Sequence, residues 1–174
     1  SSTSYYTNKG IQADKMEFNG MIAQKQYFDG KAGYTFNMQT GKKEMTSEEL
    51  SIASMEQGVI PEMNWMNSTS AFKPEVVGIE SENGMPFYVV KIAFGASGEV
   101  YHYYDKSTFL KAKTVKVMNQ DGESSTTVIE YSDYKSVNGV LMPHKTILNA
   151  GPITFNITVE TTEINGAVDL KDFE

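Results

Sequence analysis

Hydrophobic and polar positions alternate with a period of two in the clearest segments of the chain. The pattern is plainest near its end, where Ile153, Phe155, Ile157 and Val159 fall on one side and Thr154, Asn156, Thr158 and Glu160 on the other. Successive side chains of a strand point to opposite faces. The segment therefore reads as a strand with its odd-numbered residues on the core and its even-numbered residues in water. Stretches rich in Val, Ile, Thr, Tyr and Phe give the same reading over residues 85–94, 99–104, 109–118, 124–131, 140–148 and 153–163. Shorter strands follow over residues 12–18, 21–28 and 33–38. Six turn dipeptides punctuate them: Asn19-Gly20, Asp29-Gly30, Asn83-Gly84, Asp121-Gly122, Asn138-Gly139 and Asn165-Gly166. Such pairs tolerate positive φ at both central positions, as two-residue type I′ hairpins require. The expectation is a mainly β chain, a curved antiparallel sheet or unclosed barrel of about nine or ten strands.

One segment departs from the alternation. Thr46-Ser47-Glu48-Glu49 is a capping box, in which the Thr46 hydroxyl takes the Glu49 amide and the Glu49 carboxylate reaches back. Leu50, Ile52, Ala53 and Met55 follow, and Gly58 supplies a stop. This predicts one short covering helix of about three turns, held by packing because that length is marginal alone. Beyond it, residues 59–72 are apolar but aperiodic (Val59, Ile60, Pro61, Met63, Trp65, Met66, Phe72) and read as a loop lying on the sheet.

Length and composition narrow the class. The 174 residues fit a single domain spanning the chain, with 40% hydrophobic and 21% charged positions. A chain of this size buries roughly 70% of its unfolded surface, enough for a core without metal or disulfide. No apolar run approaches the ~20 residues that cross a bilayer, so membrane association would come only through a parent protein or a lipid anchor. Net charge is −7, with 15 basic residues, all lysine. Arginine supplies bidentate phosphate and guanine contacts, so an acidic chain without it is a poor nucleic-acid binder. The absence of cysteine removes thiol nucleophiles, disulfides and thiolate zinc sites together. The opening Ser1-Ser2-Thr3-Ser4-Tyr5-Tyr6 reads as a processed or internal start, the chain being part of a longer one.

Catalytic chemistry is not apparent. His102 and His144 lie in strands, His102 beside Val100 and Tyr104 on its face and His144 beside Met142 and Thr146. With no HExxH or HxxEH, both read as strand histidines with ordinary hydrogen bonds, so no metal or other cofactor is expected. There is no GxSxG elbow; Gly95-Ala96-Ser97-Gly98 reads as a hairpin loop, and no phosphate-binding glycine loop is present. Glu48-Glu49, Glu80 with Glu82, and Asp169 with Asp172 read as solvated charges. Asn67-Ser68-Thr69 and Asn156-Ile157-Thr158 match glycosylation sequons, which matter only in a eukaryotic secretory route. What exceeds the ordinary is soft apolar material: ten Met, ten Tyr, nine Phe and one Trp. Methionine adapts to irregular partners. Met55, Ile60, Met63, Trp65, Met66 and Phe72 are the candidate apolar ligand or lid residues, read either as a cover for the core or as the mouth of a lipid-sized cavity.

Longer motifs add a resemblance. Tyr103-Tyr104-Asp105, Thr108-Phe109-Leu110-Lys111, Glu130-Tyr131-Ser132-Asp133-Tyr134-Lys135-Ser136-Val137-Asn138-Gly139-Val140 and Pro143 resemble the β-rich region of bacterial envelope proteins of the LolA/LolB type. More closely, they resemble a C-terminal domain appended to some insulinase-like zinc peptidases. Phe28-Asp29-Gly30-Lys31-Ala32-Gly33-Tyr34, Gly41-Lys42-Lys43-Glu44, Glu48-Glu49-Leu50, Pro61-Glu62, Gly151-Pro152, Phe155, Val159-Glu160, Asn165 and Phe173 extend it over nearly the whole chain. The resemblance implies a LolA-like half-barrel whose concave apolar face, covered by helices, holds acyl chains in the carrier proteins. It also implies a periplasmic or outer-membrane-associated location. The expected function is a non-catalytic envelope domain binding an apolar ligand or a protein partner, accessory to a zinc peptidase. A stand-alone lipoprotein or acyl-chain carrier is the alternative, and an enzyme with an unrecognised carboxylate or histidine site a second.

Overall fold

In the computed structural model, which describes residues 1–66, 72–120 and 123–173, the alternating segments form twelve strands and the capping-box segment a helix. The chain divides into two compact units, Ser1–Ala71 with Ala167–Glu174, and Phe72–Gly166.

The first unit is a five-stranded meander: β1 (Ser2–Tyr6), β2 (Gln12–Phe18), β3 (Met21–Phe28), β4 (Gly33–Asn37) and β5 (Gly41–Glu44), each antiparallel to the next. Cross-strand partners set Tyr5, Ala13, Tyr27 and Tyr34 in one row across four strands. Ala13, Phe28 and Tyr34 are buried. Onto this row folds the end of the chain, a single 3₁₀ turn at Lys171–Phe173. The Phe173 ring, 4% exposed, stands edge-on to Tyr5 at 6.2 Å and tilted against Tyr27 at 6.4 Å. The Tyr34 hydroxyl donates to the Phe173 carbonyl at 2.5 Å, and Lys15 pairs with Asp172 at 2.5 Å. An apolar anchor is thus fixed by polar contacts at its rim.

Helix α1 (Ser47–Met55) starts on the capping box: the Glu49 amide donates to the Thr46 hydroxyl at 3.2 Å, and the Thr46 amide to the Glu49 carboxylate at 2.7 Å. That second bond holds the Glu49 carboxyl below its ordinary range. The helix closes at Glu56, earlier than the Gly58 stop that the sequence suggests. Gly58 instead serves the turn beyond, at φ +91°. The following segment is not a plain loop. A second short helix, α2 (Glu62–Trp65), forms there behind Pro61, whose fixed φ suits a helix start. Residues 67–71, with the Asn67 sequon, lie outside the described residues.

The second unit is a seven-stranded meander in the order β12-β11-β10-β9-β8-β7-β6, unclosed at both edges. Its strands are β6 (Glu75–Glu82), β7 (Met85–Ala93), β8 (Gly98–Asp105), β9 (Lys111–Gln120), β10 (Glu123–Val137), β11 (Val140–Ala150) and β12 (Ile153–Thr158). The count exceeds the nine or ten expected because β1, β5 and β6 escape the sequence reading. β6 carries Glu75, Glu80 and Glu82 as well as Gly78, and a register shift between Val76 and Gly78 breaks its alternation.

Turn chemistry divides the six dipeptides. Asn19-Gly20, Asn83-Gly84 and Asn138-Gly139 have positive φ at both residues and join directly paired strand ends, as in type I′ hairpins. Asp29-Gly30 caps a wider turn, the Asp29 carboxylate accepting the Lys31 and Ala32 amides. Asn165-Gly166 lies beyond the last strand, and Asp121-Gly122 lies outside the described residues.

Candidate functional site

The lid residues separate into anchored and projecting groups. Met55, fully buried, ends α1, and the Trp65 indole N–H donates to its carbonyl at 2.9 Å. Trp65 is itself 6% exposed, so α2 is pinned to the end of α1 by its largest side chain. The Asn64 amide adds a 2.7 Å bond to the Gln57 carbonyl. Around this fixed point Ile60, Met63 and Met66 project outward, the two methionines 66% and 77% exposed, together with Val59. Phe72, the remaining candidate, falls in the other unit. It opens the second unit, where its ring lies 6.1 Å from Phe94.

The second unit carries an apolar band that single-strand periodicity does not reveal. Successive cross-strand partners run Val76, Val90, His102, Thr114, Ile129, Leu148 and Phe155, one residue from each strand and all on one face. The adjacent positions Ile92 and Val100 are buried. The band is buried at its centre and open at both ends, with Val76 68% and Phe155 45% exposed. This corrects the expectation for β12. Ile153, Phe155 and Ile157 share a face, but they are exposed like the Thr154, Asn156 and Thr158 between them; Val159 is half-buried and follows the strand. The reason is position. β12 is an edge strand at the end of the ladder, paired on one side only, and its apolar side chains are exposed.

Both histidines fall on this same face. His102 is buried at the centre of the band, its Nδ1 3.1 Å from the Thr114 hydroxyl, to which the Tyr131 hydroxyl also donates at 3.4 Å. His144 Nδ1 lies 3.0 Å from the Met142 carbonyl. Among the described residues no group of three or more His, Asp or Glu side chains could hold a metal ion.

Strongly held carboxylates elsewhere are structural. Asp105 is pulled down to about 2 because hydrogen bonds from Ser107 and Thr108, through both hydroxyls and amides, favour its charged form. It closes the β8–β9 turn, where Phe109 takes φ +59°. On the opposite face from His102, Lys91 pairs with Glu99 at 2.6 Å, and Tyr101 donates to Glu99. Glu80 and Glu82 belong to the exposed β6 hairpin, with Glu82 paired to Lys113. In β10 the ladder keeps one register on either side of Asp133 but skips that residue, whose φ is +54°. The next residue, Tyr134, donates to the Lys111 carbonyl at 2.6 Å. The two most distinctive motifs of the sequence are therefore a turn and a strand kink.

No known family profile matches the chain, and no curated protein matches it. Three crystal structures are similar in fold. A domain from Vibrio parahaemolyticus provisionally assigned to outer-membrane lipoprotein sorting has a TM-score of 0.63 at 9% identity, over 99% of this chain and 79% of its own. A DUF1329 family protein from Desulfovibrio piger gives 0.60 at 10% identity, over 97% and 79%. A LolA superfamily protein from Nitrosomonas europaea gives 0.55 at 14% identity, over 84% and 67%. The class is accordingly a LolA-like fold, mainly antiparallel β with open sheets and few helices.

Proposed function

We propose that this chain is a non-catalytic domain of the bacterial cell envelope that binds an apolar ligand, either an acyl chain or an apolar segment of a protein partner. The observation that carries the reading is the contrast at α2: Trp65 is buried and bonded, while Met63 and Met66 beside it are 66% and 77% exposed. Exposed methionines on a fixed mount suit a partner of irregular shape. The LolA-like fold supports a periplasmic or outer-membrane-associated setting, and the fold neighbour assigned to lipoprotein sorting supports a ligand bearing acyl chains. Within this reading the domain serves as an accessory to an insulinase-like zinc peptidase. A parent gene encoding HxxEH upstream supports that role, and a short gene with only a signal peptide supports a stand-alone carrier.

Trp65 is the only tryptophan, so its emission reports on the α1–α2 junction. Adding a fatty acid or an acylated peptide is expected to shift that emission saturably. Met63→Asp with Met66→Asp is expected to abolish the shift without loss of β structure, because both positions face water. An unchanged shift in the double variant would remove these residues from the site.

A further inference from the structure

The first unit also carries a half-open cavity whose chemistry differs from that of the projecting methionines. It measures about 390 Å³ and is lined by Ile22, Lys25, Tyr34, Phe36 and Lys42. A register shift places these residues together. The β2–β3 ladder slips between Met16 and Glu17, leaving Ala23 extra, so Ile22 and Lys25 share a face despite their odd spacing. Lys25 pairs with Phe36, Phe36 with Lys42, and Tyr27 with Tyr34, extending that face across β3, β4 and β5. Two ammonium groups attend one ring: Lys42 Nζ lies 3.9 Å from the Tyr34 centroid and Lys25 Nζ 5.9 Å, with Lys25 also 5.7 Å from the Phe36 centroid.

The same face already holds an acidic–aromatic segment, the chain's own Asp172–Phe173. Lys15 takes the Asp172 carboxylate, Lys25 donates to the Asp172 carbonyl, and Tyr5, Tyr27 and Tyr34 surround or bond Phe173. Tyr34 and Lys25 belong both to that seat and to the cavity beside it. The cavity repeats the seat's chemistry, with lysines at its rim and aromatic and aliphatic carbon on its floor. An ammonium has three donors, so Lys25 keeps N–H groups for a further acceptor. Lys42 is 57% exposed along its side chain, and its 4.0 Å approach to Glu44 is a weak surface pair that a better-placed carboxylate displaces. The volume is enough for a pair of side chains.

We propose that this cavity is a docking site for an acidic–aromatic segment of a partner protein, an Asp or Glu next to a Phe, seated as Asp172–Phe173 is seated beside it. The carboxylate lies between Lys25 and Lys42, and the ring packs on Phe36 and Ile22. The site is separate from the projecting methionines and does not depend on them.

The test uses the full chain and an acetylated, amidated peptide with the sequence of residues 168–173, followed by calorimetric titration. Saturable binding is expected. It should weaken at least tenfold when the peptide's second Asp becomes Asn or its Phe becomes Ala, and at least tenfold in Lys42→Glu. It should be unchanged in Lys15→Met, because Lys15 pairs with Asp172 of the resident tail and with Glu17 and does not line the cavity. Circular dichroism confirms that both variants fold. Absence of saturable binding would overturn the proposal. So would binding lost in Lys15→Met and kept in Lys42→Glu, which would mean that the peptide merely replaces the tail. Binding of a long-chain fatty acid that is lost in Lys42→Glu, with no peptide binding, would make the cavity a lipid site instead.

Discussion

Replacing Phe173 with Ala tests whether the chain's end is a structural anchor of the first unit. The ring is 4% exposed and makes aromatic contacts at 6.2 and 6.4 Å with Tyr5 and Tyr27. Burying a Phe side chain is worth roughly 1.5–3 kcal/mol, and each well-placed aromatic pair adds about 0.5–1.5. Truncation of buried Phe to Ala costs about 3–5 kcal/mol in well-packed sites. A segment held by a single 3₁₀ turn can detach instead of leaving a cavity, so the lower end, about 3 kcal/mol, is the expected loss. Urea unfolding followed by Trp65 emission reports this unit, since Trp65 lies within it. With a slope of about 1–3 kcal/mol per molar for a small protein, the midpoint should fall by roughly 1–3 M at an unchanged slope. A loss below about 1 kcal/mol would refute the reasoning. It would show that the tail frays before the sheet unfolds and contributes little to holding it.

The remaining predictions concern the tail's charge, a close approach and the buried polar group. The hydrogen bond with Lys15 lowers Asp172 from its ordinary 3.8 and raises Lys15 from 10.5. The pair's contribution should therefore be whole between those values. It fades as pH falls through the depressed pKa of Asp172 or rises through the raised pKa of Lys15. The difference in urea midpoint between parent and Asp172→Asn should then stay level from about pH 5 to pH 9 and vanish in stronger acid; a difference that peaks in acid would contradict it. Gly98→Ala should be severely destabilising, by more than about 2 kcal/mol, because φ is +133° and a Cβ would stand 2.1 Å from the Val117 carbonyl oxygen. Thermal unfolding checks this, and a shift of under 2 °C would argue against so close an approach. Thr114→Val removes the hydroxyl that meets His102 and Tyr131, so it should cost about 1–3 kcal/mol in chemical denaturation despite its equal volume. A neutral result would show that water serves those partners equally well.

Elements with strong local signals were legible from the residues alone. β2 and β3 begin and end where the sequence reading placed them, and the capping box places the start of α1. Three Asn-Gly pairs mark hairpins for the same local reason, tolerance of positive φ. Features set by neighbours were not legible. β6 lost its alternation to a bulge, and β5 has the sequence Gly-Lys-Lys-Glu, whose strand state comes from pairing with β4. The two sides of β12 alternate as expected, but their burial depends on its place at the sheet edge. The bond from the Trp65 indole to the Met55 carbonyl has no sequence signature. The band from Val76 to Phe155 became readable only once six registers were known. The same holds for the cavity beside the tail, which depends on a bulge at Ala23 and on a segment over a hundred residues away.

The central claim, that the projecting residues at α2 take an apolar ligand, is tested most directly by affinity against acyl-chain length. Each buried CH₂ is worth roughly 0.8 kcal/mol, so a chain in real contact should gain close to tenfold in affinity for about every two carbons added, until the contact surface is filled. Direct titration of the full chain with saturated fatty acids from eight to sixteen carbons, kept below their micelle concentrations, should show that slope. Met63→Asp with Met66→Asp should flatten it while the urea midpoint stays within experimental error. Affinity independent of chain length, or a slope unaffected by the double substitution, would contradict the account.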